Sequence, residues 1–251
     1  MTDPFHSSRY SIERGKTHID QLKRDMAAFR ELKPYTRVVE PNHEGGFKSH
    51  KIRLIETIPP SFSGIIFDAA NSLRSSLDQA GYAVARGCGK RGDNAHFPFG
   101  NDKNNASACI KGRSRDIPQE IFDHMMSFKP YKGGNDLLWA LNNLSNTPKH
   151  EVIVDVRVTP GISFVRGKIY PGIEPVRFLA WDSAKNEMEI SRSPLESTDE
   201  VDFGGSLLIA IDNVRGVAGQ EVYGTLFQML GIVQGCVRVI EDRARHFGFV
   251  R

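Results

Sequence analysis

The 251-residue chain carries 33 Lys and Arg against 30 Asp and Glu, and its apolar and charged fractions, 39% and 25%, are those of a folded globular protein. The length allows one large domain or two small ones with a real core. A formal charge of +3 permits nucleic acid as a partner but excludes the dense cationic footprint of a dedicated duplex binder. Cys88, Cys109 and Cys236 lie far apart, form no Cys-x-x-Cys pair and leave one odd, which points to a reducing compartment and away from a disulfide framework or a zinc knuckle. The opening Met1-Thr2-Asp3-Pro4-Phe5-His6 has no leader pattern, and no later apolar run reads as long enough to cross a bilayer, so the expectation is a cytoplasmic protein with no membrane partner.

Between Ser11 and Lys33, Ile12, Ile19, Leu22, Met26 and Phe29 recur at three- and four-residue spacing before Pro34, which predicts an amphipathic helix with a solvated charged face. Tyr35 to Glu40 and Phe47 to Ile58 read as strands joined by Pro41-Asn42-His43-Glu44-Gly45-Gly46, a hairpin. Pro59-Pro60 then stops the chain, and Ser61 is the expected N-cap of a long helix to Gly87.

The rest of the chain is organised around that helix. At about 100° per residue, Ile66, Ala69, Ala70, Leu73, Leu77, Ala80 and Val84 fall on one side, and Asp68, Asn71, Arg74, Ser75, Asp78, Gln79 and Tyr82 on the other. From Ser61 to Ala85 there is neither Lys nor Glu, as a solvated face would carry, so the polar side is expected to be covered by hydrogen-bonding partners.

After Gly87 comes a loop rich in Gly, Asn, Asp and Lys that carries His96-Phe97-Pro98-Phe99-Gly100, whose Phe-Pro-Phe part is expected to plug an apolar surface. A short helix is predicted over Asn105 to Lys111, and another opens at Asp116-Ile117-Pro118 and ends before Pro130. Gly133-Gly134-Asn135 caps a helix to about Thr147 with the stripe Leu137, Leu138, Leu141 and Leu144, broken by Pro148 just before Lys149-His150. From Glu151 the pattern alternates, and strands are predicted at Glu151 to Val158, Ile162 to Tyr170, Val176 to Trp181, Glu187 to Arg192 and Leu207 to Ile211. Glu221 to Phe247 returns to helix with a basic last turn. The fold class read from this order is α+β: a helical bundle formed by both ends of the chain with an inserted antiparallel sheet. Residues 1–150 and 216–251 make the helical domain, with a small hairpin at 35–58, and 151–215 make the inserted β region.

Two polar clusters stand out, Asp68, Asn71, Arg74 and Asp78 on the central helix and Asn142, Asn146, Lys149 and His150 at the end of the Leu-rich one. If the two helices pack together, Arg74 could stabilise charge on a phosphate while His150 moves a proton, with Asn71, Asp78, Asn146 and Lys149 binding substrate. A purely structural reading of the same residues has Arg74 and Asp78 as an i,i+4 ion pair, the Asn side chains tying helix ends to loops and His150 packed. Histidine spacing gives no metal site, and the phosphate-loop, dinucleotide and nucleophile-elbow motifs are missing, so no metal or cofactor is expected. Cys236 falls on an apolar face and should be inert.

Asn71-Ser72-Leu73-Arg74-Ser75-Ser76-Leu77-Asp78, then His96-Phe97-Pro98, then Leu138-Trp139-Ala140-Leu141 through Asn146-Thr147-Pro148-Lys149-His150, resembles a widespread group of bacterial proteins of uncharacterised function. In that group an Asn-Leu-Arg-Ser-x-Leu-Asp-His helix precedes a Phe-Pro segment and an Asn-x-x-Lys-His segment. The spacing of an Arg followed by four residues and a His is similar to that of HEPN domains, helical bundles that often dimerise and in active members cut RNA without metal, the ribose 2′-hydroxyl attacking. The resemblance implies RNA as a partner, a homodimer and Arg74 as the motif Arg. Gln79 stands at the His position, and an amide is no general base. Either His150 takes that role or the fold persists as a binding module. A reading from a different class makes the chain a non-catalytic interaction module whose inserted sheet recruits a protein partner, and a ligand-sensing cleft is a third.

Overall fold

The computed structural model describes residues 3–146, 156–161, 174–175, 181–182, 184–197 and 206–250. The fold is α+β, with helices from both ends of the chain packed together and an antiparallel sheet inserted between them in sequence. The chain divides into a helical unit, Met1–Arg24, Pro60–Val156 and Ile211–Arg251, and a strand unit, Asp25–Pro59 and Arg157–Ala210.

In the helical unit, α2 (Ser61–Gly87) is the central element. Ile66, Ala69, Ala70, Leu73, Leu77, Ala80 and Val84 are all fully buried, so the whole predicted apolar side is core. Ser61 is not the N-cap: it is the first helical residue, preceded by Pro60 in a helical conformation, and no side chain caps the end. Proline already has the helical φ and needs no donor, which lets the helix begin one residue earlier. The helical-unit part of α1 (His6–Glu31) lies on α2, where Ser8 Oγ donates to the Ser76 carbonyl at 2.7 Å. The contact is close at Gly15, where a Cβ would stand 2.8 Å from Leu73 Cδ2.

Four further helices complete this unit. α3 (Lys103–Ala108) is capped by Asp102, whose side chain accepts from Asn105 N, and runs into a 3₁₀ turn at Cys109–Lys111; α4 covers Gln119–Ser127. α5 (Asp136–Ser145) starts as predicted, with the Asn135 side chain accepting from Leu138 N at 3.0 Å. α6 (Val222–His246) begins where the Glu221 carboxylate accepts from Tyr223 N and Gly224 N. α2 packs against α5 and α6. By length and composition α6 is one helix, among the described residues, that could cross a bilayer, against the sequence expectation of none. In the fold Leu226, Met229, Val233, Cys236, Val237 and Ile240 of α6 are buried, the pattern of a core helix. Burial pushes the Cys236 thiol up to about 12, so it is inert as expected.

In the strand unit, β1 (Tyr35–Asn42) and β2 (Phe47–Leu54) form the predicted hairpin, with Gly46 at φ 71° in its turn. The hairpin is not an appendage of the helical part. β2 pairs antiparallel with β6 (Glu187–Pro194), which carries the short strands β4 (Glu174–Pro175) and β5 (Trp181–Asp182) on its other edge. β3 (Val156–Gly161) pairs with β7 (Ser206–Ile211) in a separate two-stranded sheet. β3 runs through Thr159-Pro160-Gly161; Pro is compatible with an edge strand, and among the described residues both strands of this sheet are edges. The predicted strand at Ile162 to Tyr170 lies outside the described residues, as does most of the one at Val176 to Trp181.

One face of the larger sheet is a charge ladder. Lys51 Nζ donates to Glu40 at 2.5 Å and to Glu187 at 2.8 Å, Arg53 donates to the same two carboxylates, and Arg192 and Ser49 donate to Glu189. These partners, Lys51 foremost for Glu40 and Glu187 and Arg192 for Glu189, hold all three carboxyls below the usual 4.5. The other face buries Ile52, Met188 and Ile190 with Trp181 against them, and beside these His50 Nε2 meets Ser193 Oγ at 2.8 Å. Burial first, then Lys48 and Arg37, hold the His50 imidazole below 6.5. All these shifts have one sign for stability. His50 contributes fully above 6.5 and its contribution is lost as pH falls through its lowered folded value; the carboxylates contribute above 4.5 and are lost as pH falls through theirs. The urea midpoint, followed by circular dichroism, is expected to fall in two stages on acidification, and His50→Gln to remove the first. A midpoint flat from pH 7 to about pH 5 would contradict this account of His50.

Candidate functional site

The predicted cover of the α2 polar side is present in part, at Asn71, Arg74, Asp78 and Gln79, while Asp68, Ser75 and Tyr82 form a strip that stays open. Arg74 is the centre of the covered part. Its Nε donates to Asn142 Oδ1 on α5 at 3.0 Å, its guanidinium carbon stands 4.6 Å above the centre of the Phe99 ring, and Nη1 lies 2.5 Å from Asp78 Oδ2. That last approach is an ion pair without hydrogen-bond alignment, since Nη1 is buried and has no hydrogen-bonding partner among the described residues. The expected i,i+4 pair therefore exists, reinforced by an aromatic face and an amide from two other segments.

Asp78 faces inward on both oxygens. Oδ1 accepts from the Phe97 backbone N at 2.8 Å, and Oδ2, besides the Arg74 pair, lies 3.3 Å from His96 Nδ1. The carboxylate thus joins helix and loop. The loop is fixed from the other side too. His96 N donates to the Arg113 carbonyl at 3.0 Å, Ser114 Oγ donates to the His96 carbonyl at 2.7 Å, and Phe97 and Phe99 are buried, the plug the sequence suggests. Its approach to α2 is so close that a Cβ on Gly81 would overlap the Ala95 carbonyl. Only glycine fits there.

The other sequence-predicted site residues divide three ways. Asn146 Nδ2 donates to Asn142 Oδ1 at 3.1 Å, so Asn146 belongs to the network through Asn142. Asn71 is half-buried one turn before Arg74 on the same side of α2. Lys149 and His150 lie outside the described residues. Gln79 is turned to another task, its Oε1 accepting from Ser11 Oγ of α1 at 2.9 Å.

Sequence reasoning missed His96. It stands in the His-Phe-Pro segment, which reads as an apolar plug, yet its ring is 48% exposed and meets the same carboxylate oxygen as Arg74. The signal that could have found it was the pairing of an invading loop histidine with the only acidic side chain one turn after the central Arg. With a neutral imidazole, the charges of Arg74 and Asp78 cancel, so any attraction for an anion comes from the orientation of the guanidinium edge and not from net charge. Among the described residues no side chain hydrogen-bonds Arg74 Nη2. No protein-family model, no curated protein and no solved structure matches this chain.

Proposed function

We propose that this chain is a HEPN-like cytoplasmic protein that binds RNA, with Arg74 gripping a backbone phosphate. The observation that supports the reading is the fixed guanidinium. Held by Asn142, Asp78 and the Phe99 ring, it gives up little rotamer freedom when an anion arrives, and Nη2, which no side chain among the described residues hydrogen-bonds, is the edge this reading gives to a phosphate oxygen. Asn146 and Asn71 flank it and supply neutral donors for sugar or base.

Binding of a fluorescent single-stranded RNA is the test, read by anisotropy at two salt concentrations in EDTA, with DNA of the same sequence and a mononucleotide as competitors. Arg74→Ala is expected to weaken RNA binding by roughly ten- to a hundredfold, the size of one or two charge-assisted hydrogen bonds, and to lower the salt slope by about one. Arg74→Lys should recover only part, because an ammonium cannot replace the planar fork. Folded wild-type protein without affinity for RNA, or an Arg74→Ala protein that binds as the wild type does, would remove the reading.

A further inference from the structure

We infer that the cavity between α1 and α6 is a binding site for a small zwitterion with an apolar body, an apolar amino acid or a dipeptide of two such residues. It shares no residue with the Arg74 cluster and does not depend on the RNA reading.

The cavity measures about 550 Å³, within the range of sites that take small molecules. Ile12 of α1 and Val237 of α6, both buried, line it together with the bare backbone of Gly231 and Gly235. Four charged side chains also line it, and two of them are already used. Arg9 Nη1 donates to Glu241 Oε2 at 2.5 Å, and each has a further partner, Asp3 for Arg9 and Arg245 for Glu241. Glu13 on α1 and Arg238 on α6 are the other two. Among the described residues neither side chain has a hydrogen bond or an ion pair, with each other or with any third group, and the Gln234 amide is equally uncommitted.

The two glycines keep the groove deep. They stand one turn apart inside α6, neither has a positive φ, and a Cβ added at either meets nothing within 4 Å. Neither backbone conformation nor close packing within the chain therefore requires glycine there, although glycine inside a helix lowers stability relative to alanine. The space is left for something the chain itself does not supply.

The charges select the ligand. With Arg9 and Glu241 neutralising each other, the walls offer one free cation, one free anion and a neutral amide beside an apolar floor. A ligand with a single charge satisfies one wall and is repelled by the other. A zwitterion meets both: its carboxylate accepts from the Arg238 guanidinium, its ammonium donates to the Glu13 carboxylate, and its apolar side chain lies on Ile12, Val237 and the glycine backbone. Gln234 has a donor and an acceptor for a peptide bond or for the carboxylate.

Isothermal titration of the full chain with leucine, tryptophan and the dipeptide Leu-Leu is the test, beside the N-acetylated and C-amidated form of each. Saturable one-to-one binding of a free zwitterion is expected, the comparison of leucine with Leu-Leu fixing its size. Glu13→Gln and Arg238→Gln should each weaken it about tenfold, the size of one charge-assisted contact at a half-open site. The capped ligands tie each loss to its own charge: the acetylated form should bind Glu13→Gln and wild type alike, and the amidated form should bind Arg238→Gln and wild type alike. Gly235→Leu fills the cavity and should abolish binding while Tm holds or rises, which separates lost space from lost folding. No saturable binding of any of the three by folded wild type, capped forms that bind as well as free ones, or a Gly235→Leu protein that binds as wild type does overturns the inference. So does a wild-type dimer, measured by light scattering, that Gly235→Leu splits, because the groove then holds a second copy of the chain.

Discussion

Phe97→Ala is expected to cost about 3–5 kcal/mol of stability and, on the RNA-binding reading proposed above, to weaken that binding at temperatures where the variant is still folded. The ring is fully buried and packs 5.1 Å from that of Phe99, so truncation leaves a cavity that the surrounding helices cannot close. Phe97 is also where the loop is fastened to α2, through its backbone N and Asp78 Oδ1. With the Phe97 ring gone, the loop keeps its hydrogen bonds to Asp78, Arg113 and Ser114 but loses half of its buried aromatic anchor, which loosens the hold of His96 on Asp78. Urea unfolding with RNA binding followed by anisotropy in parallel tests both halves. A stability loss below about 1 kcal/mol would show that Phe97 does not anchor the loop.

Leu73→Ala provides the contrast. Its side chain is fully buried against Gly15 of α1, and the expected loss is about 2–5 kcal/mol. Leu73 precedes Arg74 in sequence but points to the opposite side of α2, so the contacts of Arg74 with Asn142, Asp78 and Phe99 remain. RNA affinity well below the unfolding midpoint should therefore stay within a few fold of wild type. Equal damage to binding from Leu73→Ala and Phe97→Ala would mean that binding reports only general stability and that the polar side of α2 has no special part in it. Unfolding curves and anisotropy on the same two preparations decide it.

The parts of the fold that were legible from sequence are those encoded over one or two helical turns. The seven apolar positions of α2 repeat at helical spacing and all seven are buried, because periodicity and burial are the same fact seen along one axis. The Asn135 cap and the Arg74–Asp78 pair depend on neighbours three and four residues away and were equally readable. The missing Lys and Glu of α2 correctly signalled cover, although the open strip at Asp68, Ser75 and Tyr82 shows that composition reports on a whole face and not on each turn of it. Partnerships between distant segments left no such trace. Nothing local in Phe47-Lys48-Ser49-His50 announces that it pairs with Arg192 and Ser193, so the hairpin was placed with the helices. Likewise His96 meets Asp78 across a loop with no periodicity, and Gln79, read only as a departure from a motif, is a tie to Ser11.

The packing of α2 on α6 bears on how the protein is made. α2 leaves the ribosome long before α6, and the stripe from Ile66 to Val84 that α6 helps to bury is complete as soon as α2 has formed. All the inserted strands must be synthesised in between, so the part of the stripe that faces α6 stays uncovered through that whole interval, while α1 and α5 are already available to the rest. Final closure of the helical unit is thus a late event, and the wait itself is the period in which chaperones have most to hold and aggregation most to gain.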